Sequence, residues 1–356
     1  QQIVFIIVLA IAAFIIRRRV LRIRDNIRLG KKADTSDHKN ERFKNMLLVA
    51  FGQKKMFKRP IPAVLHFFIY AGFLIINLEV LEFIIDGIAG THRIFAPYLG
   101  GVYNAAMNMF EFLAIAVLLS CVIFLIRRNI LKVPRLNSRE LNGWPRMDAN
   151  LILTIEIMLM FAILFMNASD QVLQTREDHY LQTGTLFFSS FLIPLIKDMG
   201  TSTLIFMERF AWWFHIIGIL GFAIYVTYSK HLHIFMAFPN TYYARVESAQ
   251  PKGKIANMPV VTAEVKSMLG LNTETPAAAA EPGRFGAKDI NDLSWNNLMA
   301  AYSCTECGRC TSECPANITG KKLSPRKIMM DTRDRMEDVG KSLQQGGPGL
   351  NDGKFL

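Results

Sequence analysis

The chain has 356 residues and a formal net charge of +12, and 51% of its residues are hydrophobic. Its basic residues lie in short blocks beside apolar stretches, and no soluble segment interleaves them with aromatic residues. This distribution excludes a nucleic-acid-binding protein, whose basic surface carries interleaved aromatic side chains, and indicates a membrane protein.

Five apolar stretches are predicted to cross a bilayer as helices, which takes about 20 residues for roughly 30 Å of hydrocarbon. The first is expected to be clipped at its start, and no small-residue cleavage site of a signal peptide precedes the basic block. A further apolar piece, residues 186–196, is too short to span and is interpreted as interfacial or re-entrant. The predicted spans cover residues 3–16, 61–88, 103–126, 151–168 and 208–228.

The basic loops predict how these spans are oriented. Residues 17–32 and 127–146 are rich in Arg and Lys, whereas residues 89–102 and 167–207 have few basic residues or balance them with acidic ones. Because positively charged loops stay on the cytoplasmic side, the amino end is predicted outside and the carboxy-terminal region in the cytoplasm. The expected location is the bacterial cytoplasmic (inner) membrane.

Acidic residues inside the predicted spans are candidates for proton transfer. Glu79, Glu82 and Asp86 step by three and four residues and form one stripe on the outer half of the second span. Buried carboxylates in membranes typically mark proton paths or polar substrate sites, so Glu79 and Glu82 are candidates for proton supply to a substrate within the membrane. Polar contacts between helices or solvated positions are the open alternative, which is favoured for Asp86. Glu111 and Glu156 lie in the third and fourth spans.

Four histidines in or near the spans are candidate haem ligands, because an intramembrane imidazole is costly and usually functional. If the fifth helix continues, His215 and His233 share one face, since they are 18 residues and about five turns apart. His66 lies at the depth of His233 and is predicted to form an axial pair with it. His231 is expected to be interfacial, and interhelical hydrogen bonds are the open alternative for the pair.

The chain changes character after the last span, which closes a transmembrane domain over residues 1–240. Residues 241–287 form a polar connector that includes the Ala/Pro/Glu-rich linker TETPAAAAEPGRFG. Residues 288–356 are predicted to form a small α-helical ferredoxin-like domain, in which Ser324 and Pro325 begin a helix. The fold class is therefore an all-α membrane protein with a five-helix bundle and a small cytoplasmic domain.

The run CTECGRCTSECP predicts an iron–sulfur site. Cys304, Cys307, Cys310 and Cys314 have the spacing C-x2-C-x2-C-x3-C-P of bacterial ferredoxins. Zinc ligands usually come as two separated pairs, and disulfides are rare in the cytoplasm. Since the fourth cysteine of such a run ligates the other cluster in two-cluster ferredoxins, either one [4Fe-4S] cluster takes all four or a second motif follows. We expect the second motif to lie beyond the end of this sequence.

The fifth predicted span and the cysteine run also carry a family resemblance. Residues 213–240, WFHIIGILGFAIYVTYSKHLHIFMAFPN, and the early histidine of the second span resemble the cytochrome b subunit of membrane-bound nitrate reductases. With the cysteine run, the chain resembles fused membrane iron–sulfur oxidoreductases that are related to heterodisulfide reductases, including those that link electron-transferring flavoproteins to menaquinone. The matching positions after the fifth span are Ser229, Lys230, His233 and Pro239.

Two departures limit what this resemblance implies. The cytochrome family has a second histidine ten residues after the first in span two, where it ligates an outer haem together with the equivalent of His215. Here that position is Ile76, so the outer haem is in doubt unless His215 finds another partner such as His92. The Cys-Cys-Gly repeats of heterodisulfide reductases are also missing, so disulfide or flavin chemistry is expected on another subunit.

The resemblance implies a quinone-linked oxidoreductase of the respiratory chain. The chain is interpreted as its membrane electron-transfer subunit, with [4Fe-4S] clusters, haem b and quinone as substrate. The expected partner is a cytoplasmic flavoprotein or iron–sulfur protein, and quinone reduction is the preferred direction. Quinol oxidation that feeds a cytoplasmic reductase is the first alternative. A membrane anchor or assembly subunit with a structural cluster is the second.

Overall fold

The computed structural model describes residues 1–246, 265–271 and 287–354, and this part of the chain contains helices, turns and loops but no β-strand. The predicted Ala/Pro/Glu linker lies outside the described residues. The chain divides into two compact units. The first consists of Gln1–Arg22, Lys55–Leu232 and Thr305–Arg326, and the second of Ile23–Lys54, His233–Cys304 and Lys327–Leu356.

The longer helices are α1 (Gln2–Ile27), α2 (Lys39–Met46), α3 (Pro60–Ala89), α4 (Gly101–Leu125), α5 (Trp144–Leu173), α6 (Thr201–Val226), α7 (His233–Tyr242), α8 (Trp295–Tyr302) and α9 (Pro325–Gln344). One-turn helices are formed by Ala96–Leu99, Phe187–Ser190, Ile193–Ile196, Arg309–Ser312 and Pro315–Ile318. Two short π-helices are formed by Leu47–Phe51 and Ile126–Ile130. Short 3-10 helices are formed by Met56–Lys58, Pro134–Leu136, Arg139–Leu141, Lys230–Leu232, Ile290–Asp292 and Gly349–Asn351.

Four helices of the described residues are long and apolar enough to cross a membrane: Pro60–Ala89, Gly101–Ile130, Trp144–Leu173 and Thr201–Val226. They correspond to the second to fifth predicted spans and extend beyond most of the predicted ends. Proline occupies the first turn of α3 and of α5, where its missing N–H costs nothing. Large apolar side chains on their outer faces, such as Phe67, Leu78 and Phe112, remain exposed, as contact with lipid requires.

The first predicted span is not confirmed as a membrane-crossing helix, so the five-helix transmembrane bundle is not confirmed either. The apolar stretch of α1 is followed at once by Arg17–Arg19 within the same helix, and α1 is not among the candidate spans of the described residues. Helix α1 nevertheless lies along α6. The ring of Phe5 is 5.6 Å from that of Trp212, and Arg19 Nε donates to the carbonyl of Thr227 at 3.1 Å.

The core of the first unit lies between α3, α4, α5 and α6. Close approach of α6 to α5 depends on Gly218, where a Cβ atom would lie 2.7 Å from Leu159. Gly72 of α3 has the same role toward α4, since its Cβ would lie 2.5 Å from Val117. The helices alternate in direction, so residues near Pro60, Ile130, Trp144 and Val226 share one end of the bundle.

Helix α6 ends at Val226, and the prediction of a continuous helix through His233 is wrong. The carboxylate of Asp148 on α5 accepts hydrogen bonds from the Ser229 hydroxyl at 2.7 Å, from the Lys230 N–H at 3.2 Å and from the Tyr225 hydroxyl. These hydrogen bonds to Asp148 take the place of main-chain helical hydrogen bonds after Val226, and the chain forms a turn there. His233 begins a separate helix, α7, so the argument that it shares a helix face with His215 does not hold.

The second unit contains α2, α7, α8 and most of α9. Asn26 donates to the Tyr302 hydroxyl at 2.8 Å, and that hydroxyl donates to Glu337 at 2.6 Å. Arg335 binds the carboxylates of Asp289 and Asp352 at 2.7 Å each. Its hydrogen bond lowers the pKa of Asp352 to about 2. These contacts tie the last described residues to the helix that follows the cysteine run, and α9 begins at Pro325 as predicted.

Candidate iron–sulfur and quinone sites

The cysteine run lies directly after α8. Cys304 is the last residue of the segment His233–Cys304 of the second unit, whereas Cys307, Cys310 and Cys314 belong to the first unit. Cys310 is exposed and the other three are partly exposed, and all four are free thiols. Two residues of this loop, Glu306 and Gly308, have positive φ angles of 55° and 72°, which makes the tight turns that the short cysteine spacing needs.

The donor set fits an iron–sulfur cluster, because four thiols with ferredoxin spacing are its usual ligands. Burial by itself raises the pKa of the Cys307 thiol, but hydrogen bonds from Thr305 and Arg309 outweigh burial and lower this pKa overall. A thiolate is the form that binds iron. No three Cys, His, Asp or Glu side chains in the described part of the chain converge as a metal site. Because metal binding and folding are coupled in small metal domains, the four cysteines would complete the site when the cluster is bound.

The part of the loop that belongs to the first unit is attached to one end of the helical bundle, which we call the cysteine end. Lys230 Nζ forms an ion pair with the carboxylate of Glu306, donates to the carbonyl of Pro145 at 2.6 Å and lies 3.9 Å from Asp148. Burial lowers the pKa of Lys230, although both carboxylates oppose this effect. Arg135 Nη1 donates to the carbonyl of Cys307 at 2.9 Å.

Arg326 is a second attachment of the loop at the cysteine end. Its side chain is 2% exposed and donates to the carbonyl of Arg135 at 2.7 Å, to Glu140 at 2.6 Å and to the Ser138 hydroxyl. Burial raises the pKa of Glu140, but hydrogen bonds from Arg326 and Ser324 help to lower it overall. Sequence reasoning identified neither Arg326 nor the Lys230–Glu306 pair as functional.

The predicted haem ligands are distributed over both units. His66 lies in the second turn of α3 and is partly buried. His231 lies in the turn Lys230–Leu232, where its ring is 5.4 Å from that of Phe222. Both belong to the first unit, whereas His233 is the first residue of α7 in the second unit. The pairing of His66 with His233 therefore stays a prediction.

His215 is a buried histidine whose two ring nitrogens have different surroundings. It is 1% exposed, and its Nδ1 lies 3.0 Å from the carbonyl of Leu159. Its Nε2 has no hydrogen-bond partner among the described residues. A histidine that binds metal usually donates its other ring N–H to such a carbonyl. The aromatic ring that contacts it is Phe83 on α3, at 5.8 Å, which cannot ligate iron, so these residues do not fit an outer haem with two histidine ligands.

The predicted carboxylates separate into bound and unbound groups. Glu82 accepts hydrogen bonds from the Tyr103 hydroxyl at 2.7 Å and from the Phe95 N–H at 3.0 Å. Asp86 accepts from the backbone N–H of Arg93 at 2.8 Å and from Thr91. Glu79 is 2% exposed, and neither of its carboxylate oxygens has a partner among the described residues. Glu82 and Asp86 thus make the polar contacts that were the alternative to a role in proton transfer, whereas Glu79 makes no such contact among the described residues.

Glu111 and Glu156 have different surroundings. Glu111 binds the segment Phe187–Ser190, because it accepts from the backbone N–H groups of Phe188 at 2.9 Å and Ser189 at 3.1 Å. This contact fixes the apolar piece that was interpreted as interfacial or re-entrant. Glu156 is partly buried on α5. Glu111 is therefore structural.

A buried arginine organises the end of the bundle opposite the cysteine end, which we call the far end. Arg93 is 5% exposed and donates to Asp170 at 2.8 Å, to Asn167 at 2.9 Å and to the Tyr103 hydroxyl at 3.2 Å. Through Tyr103 it is connected to Glu82. Burial of a charge is costly unless it is paired and hydrogen-bonded, and these contacts satisfy that condition.

We expect Arg93→Met to destabilise the bundle by about 3 kcal/mol, because it removes the arginine partner of the buried Asp170 carboxylate, which then keeps only His92 and Gln174 beside it among the described residues. The double variant Arg93→Met with Asp170→Asn should recover part of this loss, since the buried charge is then removed. Thermal unfolding in detergent measures both, with Lys197→Met on the exposed surface as control. A double variant less stable than Arg93→Met would contradict the pairing argument.

A cavity of about 280 Å³ lies at the far end. Its wall includes Trp212, Trp213, Asp86, His92 and Arg209, so it combines aromatic faces with polar groups, as sites for small ligands usually do. Sequence analysis did not identify these residues as a site. The Phe83 ring is 6.4 Å from that of Trp212 and also contacts His215, so a short aromatic contact chain links the cavity wall to His215.

A four-cysteine loop attached to the end of apolar helices is an arrangement that indicates a membrane-bound iron–sulfur protein. The chain is 28% identical over 350 residues to the probable iron-sulfur-binding oxidoreductase FadF of Bacillus subtilis, covering 98% of this chain and 44% of that protein. It is 24% identical over 305 residues to the EtfAB:quinone oxidoreductase of Syntrophomonas wolfei, covering 81% of this chain and 37% of that protein.

A third relative matches this chain over a shorter stretch of 46 residues, which is 13% of this chain and 7% of that relative. These residues are 39% identical to a probable membrane-anchored ferredoxin of Chromohalobacter salexigens. No protein-family model matches the chain, and no solved structure matches it.

The chain spans less than half the length of these relatives. Their names support an iron–sulfur oxidoreductase of the membrane, whereas the haem prediction is not tested by them.

Proposed function

We propose that this chain is the membrane electron-transfer part of an oxidoreductase that connects a soluble redox partner with the quinone pool. The observation that carries the proposal is the attachment of the cysteine loop to one end of four membrane-type helices. A redox loop fixed at that end is suited to exchange electrons between an aqueous partner and a group inside the bilayer. The named relatives, an iron–sulfur-binding oxidoreductase and an EtfAB:quinone oxidoreductase, support this assignment.

The four cysteines are proposed to hold a [4Fe-4S] cluster, which supplies one-electron transfer when bound. Cys304, Cys307, Cys310 and Cys314 provide its thiolates. Lys230, through Glu306, and the arginines at the cysteine end bind the loop and limit its movement.

Haem b remains part of the proposal through the histidines. His66 and His233 are the residues proposed to hold it, and haem, when bound, would supply a further one-electron centre. His231 is proposed as an interfacial residue. His215 is proposed to face the quinone rather than a second haem, because the neighbouring positions Ile76 and Phe83 offer no ligand.

The quinone is proposed to bind at the far end, with its headgroup at the cavity beside Trp212. Reduction of one quinone takes up two electrons and two protons to give a quinol. Glu79 is the proposed donor of one of these protons, because its carboxyl group is buried and has no hydrogen-bond partner among the described residues, and the second proton would come from solvent at the cavity. Glu82 is proposed to orient the site through Tyr103, and Arg93 holds that hydroxyl in place.

The direction, partner and location follow the sequence interpretation. We propose quinone reduction by electrons from a cytoplasmic flavoprotein of the electron-transferring flavoprotein class. The chain would lie in the bacterial cytoplasmic membrane with its amino end outside and its cysteine end in the cytoplasm. The basic residues of loop 127–146, which lie at the cysteine end, support this orientation.

The test uses the purified full chain in lipid nanodiscs that contain a menaquinone analogue. Chemical reduction of the protein should yield quinol, and a reduced-minus-oxidised spectrum should show a b-type band at about one haem per chain. His66→Ala and His233→Ala should each remove that band, and His215→Ala should retain it. Absence of the band would refute the haem part alone. A cluster that reduces no quinone would favour a membrane anchor with a structural cluster.

A further inference from the structure

We propose that Lys230 is a positioning residue for the iron–sulfur cluster, because its ion pair with Glu306 fixes the cysteine loop at the cysteine end. The inference rests on the proposed function and deepens it. It assigns a role to a residue that sequence analysis identified only as part of a family match.

The first step concerns Glu306, which stands between the first two cysteines of the run. Its φ angle is 55°, in the left-handed region that residues with side chains other than Asn and Asp rarely adopt. Glu306 is 4% exposed, and its carboxylate forms an ion pair with Lys230. A rare backbone conformation persists only when the surroundings determine it. The Lys230 contact is therefore part of what holds the loop in this turn.

The second step concerns the other contacts of Lys230. Its ammonium group donates to the carbonyl of Pro145, at the start of α5, and lies 3.9 Å from Asp148. Asp148 also accepts from the backbone N–H of Lys230. One lysine thus joins the end of α6, the start of α5 and the cysteine loop. A buried ion pair adds little net stability but specifies geometry in the best-attested cases.

The third step concerns the backbone of the loop on both sides of Cys307. Arg326 Nη1 lies 3.4 Å from the carbonyl of Glu306, and Arg135 donates to the carbonyl of Cys307. At Gly308, with its positive φ, a Cβ atom would lie 2.6 Å from Arg326 Nη1. Two cationic side chains therefore bind consecutive loop carbonyls, while Lys230 binds the side chain between the first two cysteines.

The consequence is electrostatic as well as geometric. The potential of an iron–sulfur cluster depends on nearby charge and hydrogen bonds. Removal of the Lys230 charge should make reduction of the cluster less favourable and shift its midpoint potential to more negative values. Removal of the Glu306 charge should shift it to more positive values. Opposite shifts from the two partners are not expected if the pair acts only on folding.

The experiment uses the full chain with its cluster in nanodiscs and compares Lys230→Met, Lys230→Arg and Glu306→Gln. Iron content, the electron paramagnetic resonance spectrum of the reduced cluster and its midpoint potential are measured beside quinol formation. Lys230→Met should retain iron, change the spectrum and slow quinol formation about tenfold, as loss of outer partners of metal ligands typically does. Lys230→Arg should restore most of the rate.

The control is Lys327→Met, because Lys327 forms a surface ion pair with Asp331 at 2.7 Å, and its side chain is 56% exposed. The proposal is overturned if Lys230→Met and Glu306→Gln behave like this control in spectrum and potential. If Lys230→Met yields no folded protein, the midpoint potential of Glu306→Gln decides whether the proposal stands, and a shift to more positive values supports it. A wild-type protein that forms no quinol contradicts the proposed function, whereas a changed cluster spectrum with retained iron in both Lys230→Met and Glu306→Gln still supports the positioning role.

Discussion

Replacement of Cys307 by serine is expected to remove the iron–sulfur cluster and to stop electron delivery to quinone, while the membrane helices remain folded. Cys307 is the second thiol of the run, and its lowered pKa favours the thiolate that iron requires. Loss of an outer partner of a metal ligand already costs about 10–100-fold. Loss of a ligand itself should therefore lower quinol formation by at least about 100-fold.

The measurement combines iron and sulfide content, visible absorbance near the thiolate-to-iron bands and quinol formation in nanodiscs. Cys121→Ala is the matched control, because Cys121 is also a free thiol but lies fully buried in α4. The control should keep its cluster and its rate. A Cys307→Ser protein with full iron content and full activity would show that the run does not hold the cluster.

Local sequence signals predicted the parts of the fold that depend on neighbouring residues. The apolar stretches of α3 to α6 were predicted from their length, because the hydrocarbon thickness fixes how many residues a span needs. The start of α9 at Pro325 was predicted because proline is favoured in the first helical turn. The cysteine run was recognised from spacing alone.

Contacts between distant residues could not be predicted in this way. Lys230 and Glu306 are 76 residues apart in the sequence, and their meeting depends on how the helix ends pack. The end of α6 depends on Asp148, which is 82 residues before Lys230. Without this contact the apolar pattern favours one continuous helix, which is why His215 and His233 were wrongly placed on a common helix.

The acidic stripe of α3 shows the same limit within one helix. Periodicity placed Glu79, Glu82 and Asp86 on one face but did not distinguish Glu79 from Glu82. Their partners come from other segments: Tyr103 for Glu82, and the loop at Arg93 for Asp86. Only the packed structure distinguishes Glu79, which lacks a partner among the described residues, from its two bound neighbours.

Glu79→Gln is expected to slow quinone reduction by about 100-fold, which is the lower range for loss of a general acid or base. The substitution keeps the volume and polarity of the side chain but removes the proton that a carboxyl group can transfer. Because neither carboxylate oxygen of Glu79 has a hydrogen-bond partner among the described residues, the change breaks no hydrogen bond within this part of the chain. Thermal stability, iron content and the cluster spectrum should therefore match those of the wild type.

Glu82→Gln is the matched comparison, since it makes the same change one turn away on the same helix face. Here the carboxylate accepts from Tyr103 and from the Phe95 N–H, so weakening these bonds should cost about 1–3 kcal/mol of stability and affect the rate less. Equal rates in Glu79→Gln and wild type would exclude Glu79 from proton transfer. A slow Glu79→Gln protein with an intact cluster and unchanged stability would assign that transfer to Glu79, because quinol cannot form from electrons alone.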